Sequence, residues 1–153
     1  MNLLDQLREQ KLEGEREWSE KQADEQQRKA EEAARIRAEE ERRRTGEAEK
    51  DRKKAEAVFA TLPDLVRQTA GKGLKAAVLV DSFVDETPDD EKPSRAIVID
   101  RRTYYLKGWQ IPFFEMCKES GVPLTIVTER VDVGLKRILH RSYHVLAIDL
   151  EHL

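Results

Sequence analysis

The sequence predicts an α/β protein: a long charged N-terminal α-helix followed by a small four-stranded mixed α/β domain. Three observations carry that expectation. First, composition changes sharply near residue 56. Residues 1–56 hold 17 acidic and 15 basic side chains, about 57% charged, and only 14 apolar residues, eight of them Ala or Met. Residues 57–153 hold 14 acidic and 13 basic side chains, and about 46% are apolar. Second, the opening segment contains no proline and repeats acid-to-base pairs at helical spacing. Third, the remainder alternates apolar runs of strand length with helical patterns and with Pro- and Gly-containing breaks. Two domains follow, a charged helical arm over 1–56 and a compact domain over 57–153. The first lacks the apolar surface to offset chain entropy with a core of its own. The second is long enough for a small core.

The arm is read as an unbroken rod over Glu15–Arg44. Glu, Lys, Arg, Gln and Ala dominate it, all good helix formers. Acid-first i,i+4 pairs recur at Glu17–Lys21, Asp24–Arg28, Glu25–Lys29, Glu31–Arg35, Glu39–Arg43, Glu40–Arg44 and Glu49–Lys53. Each is worth roughly 0.2–0.5 kcal/mol, together about 1.5–3.5 kcal/mol, less in high salt. Gly14 and Thr45-Gly46 are the expected weak points, since each glycine costs about 1 kcal/mol against Ala. The best heptad frame places Gln27, Ala34, Glu41 and Ala48 at a, with Ala30, Arg37, Arg44 and Asp51 at d. Its apolar positions are all Ala, whereas a stable seam wants Leu, Ile or Val. A solitary charged helix, or one lying on a larger partner, is therefore favoured over a coiled coil. Before the rod, Leu3, Leu4, Leu7 and Leu12 form a short apolar stripe, with Trp18 beyond them. Four leucines without a local core are either a frayed terminus or a docking segment that inserts into a groove.

In the compact domain, Thr61-Leu-Pro-Asp64 resembles a helix start, with Thr61 as cap, Pro63 in the first turn and Asp64 at the capping-box position. Helical spacing of Leu62, Leu65, Val66, Thr69 and Ala70 continues to Gly71, which ends the helix. Lys75–Val84 reads as a buried strand, Asp85–Ser94 as a polar loop and Ala96–Ile99 as a second strand. The stretch Leu106–Ser120, followed by Gly121, holds a helix that starts ahead of Pro112 or at it; Val122–Thr128 reads as a third strand, Asp132–His140 as a short helix and Tyr143–Leu150 as a fourth strand. The segment Ala96–Thr128 then suggests a right-handed parallel crossover.

Charge and cysteine content narrow the function classes. Lys plus Arg number 28 against 31 for Asp plus Glu, a net of −3, which argues against a strongly basic polyanion binder. One cysteine excludes an internal disulfide framework and fits a reducing, cytoplasmic compartment. No apolar run reaches the roughly 18 residues of a membrane span, and the opening residues lack the pattern of a secretory signal.

Candidate chemistry is sparse. The best metal candidates are Asp81 and Asp85, near the end of the first strand, with Asp100 at the end of the second, because hard cations prefer carboxylate oxygens at that edge of a sheet. Glu86, Asp89, Asp90 and Glu91 surround them, yet no fixed ligand spacing is present. Arg101 and Arg102 beside Tyr104 and Tyr105 form the best nucleic-acid patch, basic groups next to stacking rings. The denser runs Arg42–Arg44 and Lys50–Lys54 are interleaved with acids and lack aromatic neighbours. Gly71-Lys72-Gly73 lacks the phosphate-loop pattern and reads as a helix end and turn. Cys117 sits in an apolar stretch and reads as an inert thiol, and His140, His144 and His152 form no catalytic or metal motif.

The leading expectation is a non-enzymatic interaction or assembly protein, with Leu3, Leu4, Leu7 and Trp18 as the partner-binding residues and no cofactor. A protein partner is expected, with self-association through the N-terminal helix as one form of it, and nucleic acid and membrane are not. The alternatives are a metal-dependent phosphoryl or nucleotide enzyme built on the acidic loop, and a nucleic-acid-binding module.

Overall fold

The computed structural model describes residues 2–133 and 139–153. The chain divides into two compact units, Met1–Gly46 and Glu47–Leu153. One helix, α1 (Leu3–Gly71), begins in the first and ends in the second.

Within the first unit α1 is the only element, and every described residue is exposed. Asn2 caps it: its side-chain oxygen accepts the Asp5 backbone N–H at 3.0 Å. Along α1, three of the seven expected acid-first pairs close, Glu25–Lys29 at 2.8 Å, Glu40–Arg44 at 3.1 Å and Glu49–Lys53 at 3.7 Å. The helix runs through Gly14 and Thr45-Gly46 without a break. The Thr45 hydroxyl donates to the Glu41 carbonyl at 2.9 Å, so its side chain is satisfied inside the helix.

In the second unit the expected fresh start at Thr61 is not found. Pro63 lies inside α1, and the Thr61 hydroxyl donates to the Val58 carbonyl at 2.6 Å instead of capping. An interior proline costs roughly 3 kcal/mol. Burial offsets it: Ala55, Leu62 and Thr69, seven residues apart, are buried, and Val58, Phe59, Leu65 and Val66 pack beside the core. A buried Leu or Phe side chain contributes about 1.5–3 kcal/mol, so a few of them outweigh the proline. Beyond Gly71 a turn follows as expected, with Gly73 at φ +71° and the Leu74 N–H returning to the Thr69 carbonyl at 3.3 Å.

Among the described residues five strands follow, one more than the four expected: β1 (Ala76–Val84), β2 (Ser94–Ile99), β3 (Arg102–Lys107), β4 (Leu124–Val133) and β5 (Leu139–Asp149). A short helix, α2 (Gln110–Glu119), lies between β3 and β4. β3 is the added strand. Gly108, at φ +53°, separates it from α2, which starts at Gln110, ahead of Pro112 as expected. Among the described residues every ladder is antiparallel: β1–β5–β4 form one sheet and β2–β3 another. The expected parallel crossover is therefore absent. β2 instead turns directly into β3 through Asp100 and Arg101, at φ +51° and +66°, the two left-handed residues that a tight hairpin needs. The short helix expected over Asp132–His140 is also corrected at both ends, where Asp132 pairs with His140 and Val133 with Leu139 as strands. Its middle, 134–138, lies outside the described residues.

The core lies on one face of the β1–β5–β4 sheet. Leu79, Leu146 and Ile148 meet Ala55 and Leu62 of α1, Phe113 and Cys117 of α2, and Ile97, Tyr104 and Leu106 of the hairpin. β1 is not buried on both faces as its apolar run suggests, because Val78, Val80 and Phe83 are exposed. Among the described residues no helix is long and apolar enough to cross a membrane.

Candidate functional site

Two groups of side chains stand out, one in each unit. In the first unit, Leu3, Leu4, Leu7 and Trp18 are 71%, 55%, 55% and 66% exposed. With about 100° of rotation per residue, the four fall within an arc of roughly 100° on α1. Leu12 falls outside that arc, and Ile36, also exposed, returns to the azimuth of Trp18 after about five turns. Large apolar groups held in water on one helix face retain their full capacity for burial elsewhere.

In the second unit, a polar cluster forms where β1, β3 and β5 meet. The Tyr105 N–H donates to the Asp85 carbonyl at 2.8 Å, which fixes the start of the acidic loop against β3. Lys107 Nζ then donates to Asp85 Oδ2 at 2.7 Å and lies 3.6 Å from Asp89 Oδ2. The hydrogen bond to Asp85 holds the Lys107 ammonium above the ordinary lysine range. The Glu91 backbone N–H, at 3.0 Å, and the nearby Lys107 charge hold the Asp89 carboxyl below its ordinary range. On the other side of the strand, Glu86 lies 3.8 Å from Arg102 and 3.7 Å from His144 Nε2. His144 Nδ1 is 2.9 Å from the Thr128 hydroxyl, and its ring packs edge-on against Tyr104 at 5.4 Å.

Three of the loop carboxylates, Asp85, Glu86 and Asp89, are thus matched by cations of the same unit. Asp81 stands exposed in an irregular stretch of β1 at φ +51°, and Asp100 lies in the β2–β3 turn. Asp81, Asp85 and Asp100 are not assembled into a ligand set. Among the described residues, no three His, Cys, Asp or Glu side chains come together as a group able to hold a metal ion. The aromatic–basic patch is also divided. Arg101 is in the turn, Arg102 faces Glu86, Tyr104 points into the core and Tyr105 is half-buried on the opposite side of β3. Cys117 is fully buried, and burial pushes its thiol up to about 12.

Lys107 and His144 were not singled out as partners of the acidic loop from sequence, since strand pairing alone brings them there. The outward side chains Val78 and Phe83 were hidden by the continuous apolar run of β1. No family model, curated protein or solved structure matches the chain.

Proposed function

We propose that the chain is a non-enzymatic interaction or assembly protein whose N-terminal helix face, Leu3, Leu4, Leu7 and Trp18, binds a protein partner. The observation that carries this reading is the cluster of four large, exposed apolar side chains on one face of an otherwise charged helix. Burying each leucine contributes about 1.5–3 kcal/mol, and tryptophan is the residue type most often dominant in such contacts. A reducing, cytoplasmic setting suits the lone cysteine.

Site-specific photocrosslinking in cells tests the proposal. A crosslinker replacing Leu7 should give discrete adducts, and one replacing Glu9, on the far side of the helix, should give none. Equal yields from the two positions, or none from either, would remove the interaction reading.

A further inference from the structure

The β2–β3 hairpin leaves one strand edge unpaired. The Tyr105 N–H donates to the Asp85 carbonyl and the Lys107 N–H to Gln110 Oε1, so the backbone groups of both residues turn away from β2. Tyr105 opposes Ala96, and Lys107 opposes Ser94. Hydrogen-bonded and open pairs alternate along an antiparallel ladder. Arg95, Ile97 and Ile99 therefore hold the bonds to β3, and the N–H and C=O groups of Ser94, Ala96 and Val98 point outward. Among the described residues these outward groups have no hydrogen-bond partner. Ala96 is exposed and Val98 is 69% exposed, so the edge meets solvent. Natural edges are ordinarily guarded by proline, by charge or by a bulge. Here Pro93 falls in the alternation that faces β3, Arg95 is held on the core side by Glu115 and the Phe114 ring, and the register is regular throughout.

We infer that the β2 edge pairs antiparallel with the β2 edge of a second copy of the chain, joining two hairpins into one four-stranded sheet. This goes beyond the helix-face reading and does not rest on it. Centring the pair on Ala96 sets Ala96 against its own counterpart and Ser94 against Val98 of the second copy. Each outward pair exchanges two backbone bonds, about six in all, and small uncharged side chains meet across the seam. The charges at the strand ends then complement one another. Lys92 comes beside Asp100 of the second copy and Glu91 beside its Arg101, each contact occurring twice by the two-fold symmetry. All four are exposed, and none forms an ion pair among the described residues. Charge also selects this register over its neighbours. Sliding by two residues, the smallest step that keeps outward groups facing, opposes Asp90 to Asp100 in one direction and Lys92 to Arg102 in the other. Parallel in-register pairing sets every charge against its own kind, which is unfavourable.

Disulfide trapping and light scattering on the full chain test the inference. Opposed residues of a hydrogen-bonded pair have Cα atoms about 5.5 Å apart, within reach of a disulfide. Val98 and its counterpart are instead offset by four residues, roughly 13 Å. Mild oxidation should therefore link Ala96→Cys into a two-chain species and leave Val98→Cys as single chains; the native Cys117 is buried in both. In light scattering the unaltered chain should approach twice its mass with rising concentration. Glu91→Arg and Arg101→Glu should each weaken that association, and the double variant, which restores opposite charges, should recover it. All these positions are exposed, and circular dichroism checks that each variant keeps its fold. Equal linking at Ala96→Cys and Val98→Cys, a double variant no stronger than the single ones, or a chain that stays monomeric with Ala96→Cys unlinked would overturn edge pairing. Association abolished by Leu7→Glu and indifferent to the charge reversals would overturn this inference alone and leave the helix-face reading standing.

Discussion

Ser82→Ala is the most informative single perturbation of the second unit. In β1, Val78 pairs with Ala147 and Phe83 with Val145, so four residues, Leu79–Ser82, stand opposite Leu146 alone. Such a bulge leaves ladder groups without strand partners. Ser82 is fully buried, and its hydroxyl lies 2.7 Å from the Leu79 carbonyl and 3.0 Å from the Leu146 carbonyl. It therefore ties the bulge to the central strand with its one proton. Alanine removes that donor and leaves buried carbonyl groups behind, a loss of about 1–3 kcal/mol. For a unit of roughly a hundred residues, about 2 kcal/mol corresponds to a fall of roughly 8 °C in Tm. The assay is thermal unfolding followed by Trp109, which is buried, in a Trp18→Phe background so that only the core reports. Val80→Ser, in the same bulge but exposed, is the control and should stay within about 0.5 kcal/mol. If Ser82→Ala costs no more than that control, the hydroxyl does not hold the bulge and the reasoning fails.

Gly46→Ala and Gly14→Ala should each stabilise α1 by about 1 kcal/mol, since an added methyl meets nothing within 4 Å at either site; far-UV circular dichroism melts of the full chain check this, and an unchanged or lower helical signal contradicts it. Cys117 should resist maleimide labelling in the native state, because a thiol pushed up to about 12 is only roughly one part in ten thousand thiolate near pH 8; labelling as fast as in denaturant would show that the site is open. The Lys107–Asp85 pair has a raised ammonium pKa, so its stabilisation is whole below the unfolded lysine value of about 10.4 and is lost as pH rises through the higher folded value. Denaturation midpoints taken across that alkaline range should fall more steeply for the native chain than for Lys107→Met, and parallel curves would exclude the coupling.

Much of α1 was legible because its causes are local. Helix-forming residues, ion pairs one turn apart and the absence of a core partner are all properties of near neighbours in the chain. The helix at Pro63 was not legible, because the proline's cost is local while its compensation, burial of Leu62 and its neighbours, comes from residues far along the chain. Sequence spacing likewise could not separate β3 from α2. Short apolar runs fit both periods, and the division rests on a left-handed Gly108. The candidate sites divide along the same line. Leu3, Leu4, Leu7 and Trp18 share a face by helical rotation alone, so the sequence was sufficient to group them. The acidic loop gathers its carboxylates by adjacency, but Lys107, Arg102 and His144 reach them only through antiparallel pairing. By itself, then, the sequence determined where charge and apolar surface lie along each element. Tertiary structure decided which strands pair, which carboxylates are neutralised and which apolar side chains of β1 stay outside, because those outcomes depend on contacts between distant residues that no local spacing encodes.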